Sequence, residues 1–424
     1  MRNFSQSNML LTEVEEIIPL ASQTFSKSHY SLPKGAAPLF IDKADGAKIW
    51  DVDGNEYIDL INGLLSVSLG YKDEDVDQAI KDQLNKGINF SLPHTLEYEV
   101  SKLLIDLIPC AEMVRFGKNG SDVTTAAIRL ARAYTGREHV AVCGYHGWQD
   151  WYIGSTSRNL GVPKAVQCLT HTFKYNDIKS LEALFSSFPD MAAVILEPMS
   201  AEEPVDDFLN HVRELCDVNG AVLIFDEMIT GFRFHLNGAQ GLFGVTPDLA
   251  TFGKGMSNGM PLSAIVGKKE IMKKMEDIFF SGTFGGETLS LAAAKATINK
   301  IMNSGVISHI HKMGSYLMDG VSEIIKNNNI TWLSLVGHES WKIITIDAGD
   351  NTPLYKSLFL QEMIANGVLT IGSHNLSYAF KKEHADKVLI AYEKTIKTIE
   401  KYRLSSNESD LLHGEMIKPV FSVR

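Results

Sequence analysis

The sequence predicts an α/β protein with a large, mostly parallel sheet and a smaller α+β domain built from both chain ends. Between about residues 70 and 301, helical patterns alternate with short, nearly continuous apolar runs at 140–143, 192–196, 221–225 and 262–266. Such runs are typical of strands that helices cover on both faces. Shorter apolar runs separated by turn signals lie on either side of this region. We therefore assign residues 1–59 and 311–424 to the smaller domain and residues 60–310 to the larger one.

The N-terminal segment combines one helical pattern with a small sheet. Apolar residues between positions 10 and 20 recur with glutamates on the polar side, which predicts a helix. Three short apolar runs follow at residues 39–41, 48–52 and 57–60, and turn signals that include Asp53-Gly54 separate them. This spacing predicts a small antiparallel sheet.

The C-terminal segment predicts the remainder of the smaller domain. A long helical stretch covers residues 291–325, and an apolar run at 341–347 predicts a strand. A helix over 353–366, a short apolar run over 368–371 and a helix over 384–402 follow. We expect this α+β unit to join the N-terminal sheet.

Composition argues for small-molecule chemistry. The 424 residues include 40 lysines and arginines against 51 aspartates and glutamates, a formal net charge of −11, which disfavours nucleic acids and anionic membranes as partners. No apolar stretch has the length of a membrane helix and no signal-peptide core is present, so we expect a cytoplasmic protein. The four cysteines lie far apart, and His146 has no second ligand at a zinc-site spacing, so we expect reduced thiols and no metal site.

Two residues carry the strongest chemical signal. Lys254 lies between two glycines, and Asp226 ends the apolar run at 221–225. A pyridoxal phosphate enzyme needs a lysine that forms a Schiff base with the cofactor aldehyde and a carboxylate that keeps the pyridine nitrogen protonated. Taken alone, a glycine-flanked lysine is most often a surface turn. It is not a nucleotide-binding P-loop, because Asp248 stands where that loop requires glycine.

Other predicted loops offer groups that suit such a cofactor. Gly120 and Ser121 precede a helical pattern at 123–132, and a glycine, a hydroxyl and helix N-terminal amides together make a phosphate cradle. Tyr145 follows the run at 140–143, where a flat ring can stack on it. Each feature alone has a commoner explanation. A Gly-Ser pair at such a position most often only caps the helix, and a single tyrosine most often only packs beneath a loop.

The order of these features along the chain makes the combination informative. Phosphate cradle, aromatic ring, strand-end aspartate and lysine occur in this order, and we expect each on a loop at the same rim of one sheet. In this order the chain resembles the class III aminotransferases of the fold type I pyridoxal phosphate enzymes over nearly its whole length. The motifs that carry the resemblance are Tyr145-His146-Gly147, Glu197-Pro198, Asp226-Glu227-Met228-Ile229-Thr230-Gly231-Phe232-Arg233, Gly253-Lys254-Gly255 and Gly282-Thr283.

The resemblance implies a fold type I transferase and a role for each motif residue. Lys254 would be the Schiff-base lysine, and Asp226 would be the partner of the pyridine nitrogen. Met228 would pack on one face of the cofactor ring and Tyr145 on the other.

The remaining motif residues would complete the cofactor site. Gly120 and Ser121 would hold the phosphate, and His146 and Glu197 would be further cofactor contacts. Thr283 would reach the active site of a neighbouring subunit, so the resemblance implies a homodimer.

The expected reaction is amino transfer between an amine donor and a small keto or aldehyde acceptor, in two half-reactions of ping-pong type. Within the family the sequence of these motifs is most similar to that of the glutamate-1-semialdehyde aminomutases. The alternative function is therefore an isomerase that forms 5-aminolevulinate. A non-catalytic cofactor-binding module fused to a DNA-binding domain is disfavoured, because the first forty or so residues are too few and too acidic for a helix-turn-helix.

The loops expected to face the substrate differ from those of the aminomutases. Residues 26–34 lack the arginine expected to recognise a substrate carboxylate, and Glu202 stands where the aminomutases have an asparagine. A C-terminal loop carries His374 and Asn375 where a glutamate is usual. Together with His29, these residues favour a neutral, hydroxyl-rich or cationic substrate. The alternative is that they are solvated loop residues.

Overall fold

The computed structural model describes residues 2–404 and 408–418. Within them the strands are β1 (Ile41–Asp45), β2 (Lys48–Asp51), β3 (Glu56–Asp59), β4 (Met113–Gly117), β5 (His139–Cys143), β6 (Thr170–Thr172), β7 (Met191–Leu196), β8 (Val222–Asp226), β9 (Leu249–Phe252), β10 (Ser263–Gly267), β11 (Leu333–His338), β12 (Trp341–Ile346), β13 (Val368–Leu369) and β14 (Ser373–His374). The helical segments are α1 (Ser5–Glu15), α2 (Asn62–Leu65), α3 (Glu74–Leu84), α4 (Thr95–Leu107), α5 (Gly120–Thr135), α6 (Asp150–Ile153), α7 (Lys164–Gln167), α8 (Ile178–Ser187), α9 (Phe208–Asn219), α10 (Gly238–Phe243), α11 (Lys269–Met272), α12 (Thr288–Asn303), α13 (Val306–Asn327), α14 (Thr352–Ala365) and α15 (Lys382–Leu404).

The chain divides into two compact units. The described residues within Met1–Leu64, Leu69–Asp73 and Ser308–Val420 form one, the terminal unit. The described residues within Leu65–Ser68 and Glu74–Ile307 form the other, the central unit.

The central unit contains a seven-stranded sheet in the order β4-β10-β9-β8-β7-β5-β6. The strands from β9 to β6 pair in parallel, whereas β10 is antiparallel to both β9 and β4. Since two reversals restore the direction, β4 runs the same way as β9. The predicted mostly parallel sheet is confirmed, and the apolar run at 262–266 supplies its one antiparallel member among the described strands.

The middle of this sheet is the core of the central unit. Every residue of β7 and β8 is buried, as expected for strands with helices on both faces. Ile195 and Ile224 are 0% exposed and pack in one cluster with Leu130 of α5. Full burial of such a side chain contributes about 1.5–3 kcal/mol. This rigid layer fixes the positions of the loops that leave its edges.

The terminal unit contains two smaller sheets. The first has the order β1-β2-β3-β13, in which β1, β2 and β3 pair antiparallel and β13 is parallel to β3. The second has the order β11-β12-β14 and is antiparallel throughout. The antiparallel sheet expected in the first sixty residues is therefore present, and a strand from the C-terminal segment extends it.

Several element boundaries differ from the prediction. Helix α1 ends at Glu15, short of the predicted end at residue 20, because Pro19 lacks an amide donor and Leu20 and Ala21 have positive φ angles of 62° and 50°. The stretch over 291–325 is divided into α12 and α13 at Gly305, whose φ is +64°. None of the described helices combines the length and apolarity that a bilayer crossing requires.

Candidate active site

One edge of the central sheet gathers the predicted cofactor residues. Strands β4, β5, β7, β8 and β9 run in the same direction, so their carboxyl ends lie at a common edge, where ligands bind in open α/β sheets. The last residues of these strands are Gly117, Cys143, Leu196, Asp226 and Phe252. The motifs around Ser121, Tyr145, Glu197, Met228 and Lys254 follow them directly in the chain.

Asp226, the last residue of β8, is a buried carboxylate held by several donors. It is 3% exposed, and its Oδ2 lies 2.8 Å from Nδ1 of His146. Its Oδ1 accepts from the Met228 amide at 3.2 Å and from the Thr251 hydroxyl at 3.4 Å. The other ring nitrogen of His146 lies 3.1 Å from the carbonyl oxygen of Cys143. These contacts fix the orientation of the carboxylate.

Lys254 lies two residues beyond β9 in a strained backbone conformation. Its φ is +40°, a region that costs a residue with a side chain roughly 1–2 kcal/mol. Burial lowers the pKa of the Lys254 amine, and the carboxylates of Asp226 and Glu197 act in the opposite direction. The lysine thus combines strain, partial burial and two nearby carboxylates, as functional sites often do.

Glu197 and Tyr145 interact directly at the sheet edge. The Tyr145 amide donates to Oε2 of Glu197 at 3.0 Å. Gly144 has a φ of +105°, and a Cβ there would lie 2.5 Å from the same oxygen. Burial, followed by the charge of Asp226, raises the pKa of Glu197. Tyr145 is 50% exposed, and its ring makes an edge contact with the ring of Tyr152.

The residues of the predicted phosphate cradle lie at the start of α5. Asp122 accepts from the amides of Lys118 and Asn119 at 3.0 and 2.8 Å, which turns the chain into the helix. Ser121 is buried, and its Oγ accepts from the Trp148 amide at 3.3 Å. A Cβ at Gly147 would overlap this hydroxyl and lie 2.9 Å from the Ser121 Cβ.

The thioether of Met228 lies where two glycine-bearing loops meet. A Cβ at Gly120 would lie 3.1 Å from Met228 Sδ, and a Cβ at Gly253 would lie 2.8 Å from the same atom. The loop after β8, the start of α5 and the lysine loop therefore converge on one side chain. Larger residues at either glycine would displace it.

The remaining central-unit residues of the prediction lie at the surface. Thr283 is exposed in the loop between β10 and α12. Glu202 is exposed in the segment between β7 and α9. Neither is brought into the group around Asp226 by a contact within the central unit.

The predicted substrate residues of the terminal unit make contacts with protein groups. His29 Nε2 lies 3.3 Å from Glu15 Oε1. His374 is 2% exposed, with Nδ1 3.1 Å from the Lys342 carbonyl oxygen and Nε2 2.7 Å from the Tyr392 hydroxyl. Burial lowers the pKa of His374 to about 4. Both ring nitrogens of this histidine are therefore engaged in the fold.

Asn375 differs from its neighbour in having one open acceptor. It is 2% exposed, and its Nδ2 donates to the Ile61 carbonyl at 2.8 Å. Its buried Oδ1 meets no hydrogen-bond donor among the described residues. A buried acceptor of this kind is expected to receive a donor from water or a ligand.

Sequence reasoning missed several residues that build the site. Thr124 Oγ1 donates to the His146 carbonyl at 2.8 Å, and the Tyr152 hydroxyl donates to the Gly144 carbonyl at 2.7 Å. The pair Gly144 and Gly147 on either side of Tyr145-His146 was the available signal, because both have φ near +105°.

Comparison with known proteins assigns the chain to a protein family. The family described as Aminotransferase class-III matches residues 30–396. The chain belongs to the class-III aminotransferases. It is similar to the 3-aminobutyryl-CoA aminotransferase of Cloacimonas acidaminovorans (strain Evry), with 35% identity over 91% of this chain and 94% of that protein. It is also similar to the glutamate-1-semialdehyde 2,1-aminomutase of Francisella tularensis subsp. tularensis, with 38% identity over 77% of this chain and 80% of the other.

Solved structures of pyridoxal phosphate-containing proteins and transaminases share the fold. The Sphingopyxis sp. MTA144 FumI protein, solved with pyridoxal phosphate, superposes with a TM-score of 0.88 at 26% identity and covers 96% of this chain and 100% of its own. An omega-transaminase from Sphaerobacter thermophilus superposes with a TM-score of 0.84 at 24% identity over 92% and 97% of the two chains. The predicted fold type I architecture is confirmed, and the protein is a pyridoxal phosphate-dependent aminotransferase.

The residues present fit that cofactor. A buried, oriented carboxylate suits a protonated pyridine nitrogen, and a partly buried lysine suits an aldehyde. The helix start at Gly120, against which the Gly147 backbone packs so closely that a Cβ would overlap Ser121, suits a phosphate. All these groups lie at the same edge of the central sheet.

Proposed function

We propose that the chain moves an amino group from an amine donor to a small keto or aldehyde acceptor, with Lys254 and Asp226 as its catalytic residues. One observation carries the proposal: the Lys254 amine is partly buried, burial lowers its pKa, and the carboxylates of Asp226 and Glu197 lie near enough to act on it. An amine that gives up its proton readily can bond an aldehyde and can carry a proton. Pyridoxal phosphate supplies the aldehyde and a ring that accepts electrons from the substrate.

Lys254 would have two tasks in the reaction. In the resting enzyme Nζ would hold the cofactor at its aldehyde carbon. With an amine donor bound, Nζ would accept the proton from the donor carbon that bears nitrogen and would give that proton up again within the same half-reaction. Water would supply the oxygen of the carbonyl product, and an acceptor would use the same residues in the reverse order, which makes the reaction ping-pong.

Asp226 would stay negative opposite the pyridine nitrogen and keep that nitrogen protonated. The hydrogen bonds from Met228 and Thr251 and the contact with His146 support a fixed carboxylate, which needs no reorganisation during the reaction. His146 is in this proposal a positioning residue for Asp226. Glu197 adds a second carboxylate at the same edge through its bond to the Tyr145 amide.

The cofactor body would lie between the loops already described. Gly120 and Ser121 would bind the phosphate at the start of α5. Met228 would pack on one face of the ring and Tyr145 on the other, since the Tyr145 side chain is half exposed and Met228 lies beside Gly120.

Replacement of Lys254 tests the central claim. Lys254→Ala should lose turnover, and borohydride should no longer fix the cofactor to the chain. The matched control is Lys179→Ala on α8, an exposed lysine whose loss should leave both unchanged. Mass spectrometry after borohydride treatment and steady-state assays check the two expectations. Wild-type turnover in Lys254→Ala would remove Lys254 from the mechanism.

A substrate with hydroxyl or amine donors is favoured over a small dicarboxylate-like one. Glu202 is exposed and ionisable, and Asn375 has a buried acceptor that no described residue satisfies. His374 stays in the proposal as a weaker member, because both of its ring nitrogens contact protein groups. His29 Nε2 contacts Glu15, whereas its buried Nδ1 meets no hydrogen-bond partner among the described residues.

The aminomutase reaction is the second candidate, favoured by 38% identity to a glutamate-1-semialdehyde 2,1-aminomutase. Transamination is preferred because the 3-aminobutyryl-CoA aminotransferase matches a larger share of the chain, 91% against 77%. Purified enzyme should be incubated with glutamate semialdehyde, and separately with amine donors and carbonyl acceptors. Formation of 5-aminolevulinate without an external acceptor would reverse the preference.

We further propose that the active form is a homodimer in which Thr283 contributes to the neighbouring active site. Thr283 and Phe284 are exposed on the central unit, and Phe279 and Leu92 are 80% and 79% exposed there. Phe279 and Phe284 lie on either side of Thr283 in the segment that precedes α12, and exposed apolar side chains grouped in this way often mark an interface.

Two coarser points complete the proposal. We place the small-domain segments at residues 1–59 and 311–424 and the cofactor domain at 60–310, which the two compact units support with boundaries a few residues away. A cytoplasmic location is proposed from composition, and cell fractionation would test it.

A further inference from the structure

Three potential metal ligands meet in the terminal unit. His311 lies on α13, His338 is the last residue of β11, and Glu339 is in the turn that joins β11 to β12. His311 Nδ1 lies 3.6 Å from one oxygen of Glu339, and His338 Nε2 lies 3.5 Å from the other. One ligand atom from each residue lies within 4.8 Å of those from the other two.

The two histidine-to-carboxylate separations, each to a different oxygen of Glu339, are close to those in a transition-metal site. Zinc binds histidine nitrogen and carboxylate oxygen at about 2.0–2.2 Å, so ligand atoms in a tetrahedral site are about 3.3 Å apart. The observed separations exceed this value by only a few tenths of an ångström for the contacts with Glu339. Two imidazoles and one carboxylate are also the ligand types that such ions prefer.

The backbone is shaped to bring the ligands together. Gly314 lies one turn after His311 on the same face of α13. A Cβ at Gly314 would overlap the carbonyl oxygen of Glu339, so only glycine allows the helix to approach the turn this closely. The turn itself is fixed by the pairing of His338 with Trp341 in the β11–β12 hairpin.

The contacts of the second histidine fix the orientation of its ring. The Ser340 amide donates to His338 Nδ1 at 3.2 Å, and Ser340 Oγ lies 2.8 Å from the same nitrogen. Nε2, on the other side of the ring, lies 3.5 Å from Glu339 Oε2. For Nε2 to bind a metal, Nδ1 must carry the ring proton and donate it to the Ser340 hydroxyl in place of the bond that it accepts from the amide, and such a donation is the usual second contact of a metal-bound histidine.

We propose that His311, His338 and Glu339 bind one divalent transition-metal ion of the zinc type. The ion would join α13 to the β11–β12 hairpin, and water would complete its coordination because three protein ligands leave a position open. His338 is buried, while His311 and Glu339 are partly exposed, so the ion has a route from solvent. The site is separate from the aminotransferase chemistry and does not depend on it.

Metal titration of the full-length, untagged, cofactor-loaded protein tests the proposal. After treatment with a chelator and desalting, the protein is titrated with Zn²⁺ by calorimetry and with Co²⁺ by visible absorption. One saturable ion per chain is expected, with a cobalt spectrum typical of nitrogen and oxygen ligands and a raised melting temperature. His311→Ala and Glu339→Gln should each weaken binding at least about tenfold.

One control and one conservative variant distinguish loss of a metal ligand from loss of folding. His211→Gln changes an exposed histidine of the central unit and should bind metal as the wild type does. Glu339→Gln keeps the shape of a half-exposed side chain, so its folding should be retained even if a histidine variant is destabilised. No saturable binding in the wild type, or binding unchanged in both ligand variants, would overturn the proposal.

Discussion

At the scale of single residues, hydrogen-bond donors stabilise and orient the buried carboxylate of Asp226. A carboxylate that is 3% exposed would be costly without donors, and the amide of Met228, the hydroxyl of Thr251 and the ring of His146 supply them. The same contacts fix its direction, so the negative charge is already oriented when a cofactor nitrogen arrives.

Asp226→Asn should retain cofactor and lose most activity. Asparagine keeps the shape and most hydrogen bonds but removes the charge, and loss of one preoriented electrostatic group costs about 10² to 10³ in kcat. Cofactor content by absorbance and kcat by steady-state assay check the two parts. Asp190→Asn, an exposed aspartate of the central unit, is the control. Full activity in Asp226→Asn would show that another group faces the pyridine nitrogen.

His374 should make stability fall in acid. Burial lowers its pKa to about 4, whereas a histidine in an unfolded chain titrates near 6.5. Between these pH values the unfolded chain binds the proton more tightly, so stability present above pH 6.5 is lost as the pH falls towards 4. At pH 5 the loss through this residue is about 2 kcal/mol.

The comparison with a variant isolates this contribution. Urea unfolding at pH 7.5 and pH 5 should show a smaller acid loss in His374→Gln than in the wild type. His413→Gln changes an exposed histidine of the same unit and should keep the wild-type loss. Equal losses in all three proteins would mean that His374 is protonated within the fold.

At the scale of elements, the loops after the parallel strands make the site, and glycines set how closely they approach. Gly147 has a φ of +105° and lies against Ser121, which brings the loop after β5 onto the start of α5. Gly161 also has a positive φ, +89°, but a Cβ there would meet no atom within 4 Å. Substitution at both positions strains the backbone, but only substitution at Gly147 also creates a close contact with Ser121.

Gly147→Ala should weaken cofactor binding at least about tenfold, or about 1.4 kcal/mol, whereas Gly161→Ala should not. Both variants bear a backbone cost of roughly 1–2 kcal/mol for alanine at positive φ. Only the first displaces the Ser121 hydroxyl from the phosphate cradle. Equilibrium dialysis of cofactor after its removal measures the difference. Equal affinities in the two variants would place the phosphate elsewhere.

At the scale of the whole molecule, the exposed apolar side chains of the central unit bear on assembly. Phe284 is 58% exposed next to Thr283, in a part of the unit that carries other exposed apolar residues. Such exposure is unfavourable in water unless a second surface covers it. A second copy of the chain is the partner that the proposed role of Thr283 requires.

Sedimentation should therefore give twice the chain mass, and Phe284→Asp should shift the enzyme towards monomers with loss of activity. A buried charge without a partner at an interface disfavours association. The control is Val218→Asp on α9, which is 86% exposed and should leave the mass unchanged. A monomeric, active wild type would refute the homodimer.

The sequence by itself determined the fold class and the pyridoxal phosphate chemistry of the family. Continuous apolar runs predict strands that are buried on both faces. Asp226 and Tyr145 follow such runs, and Lys254 lies between two glycines. The strand that positions Lys254, β9, escaped prediction because four residues of mixed character, Leu249–Phe252, carry too little periodicity.

Only the tertiary structure decided which groups meet across long stretches of chain. The contacts of His146 with Asp226, of Gly147 with Ser121 and of Gly314 with Glu339 depend on sheet order and helix packing, which no local pattern encodes. The same holds for the contact of His374, a predicted substrate residue, with the hydroxyl of Tyr392. Sequence patterns report local conformation and burial, whereas distances between distant residues are set by how the elements pack.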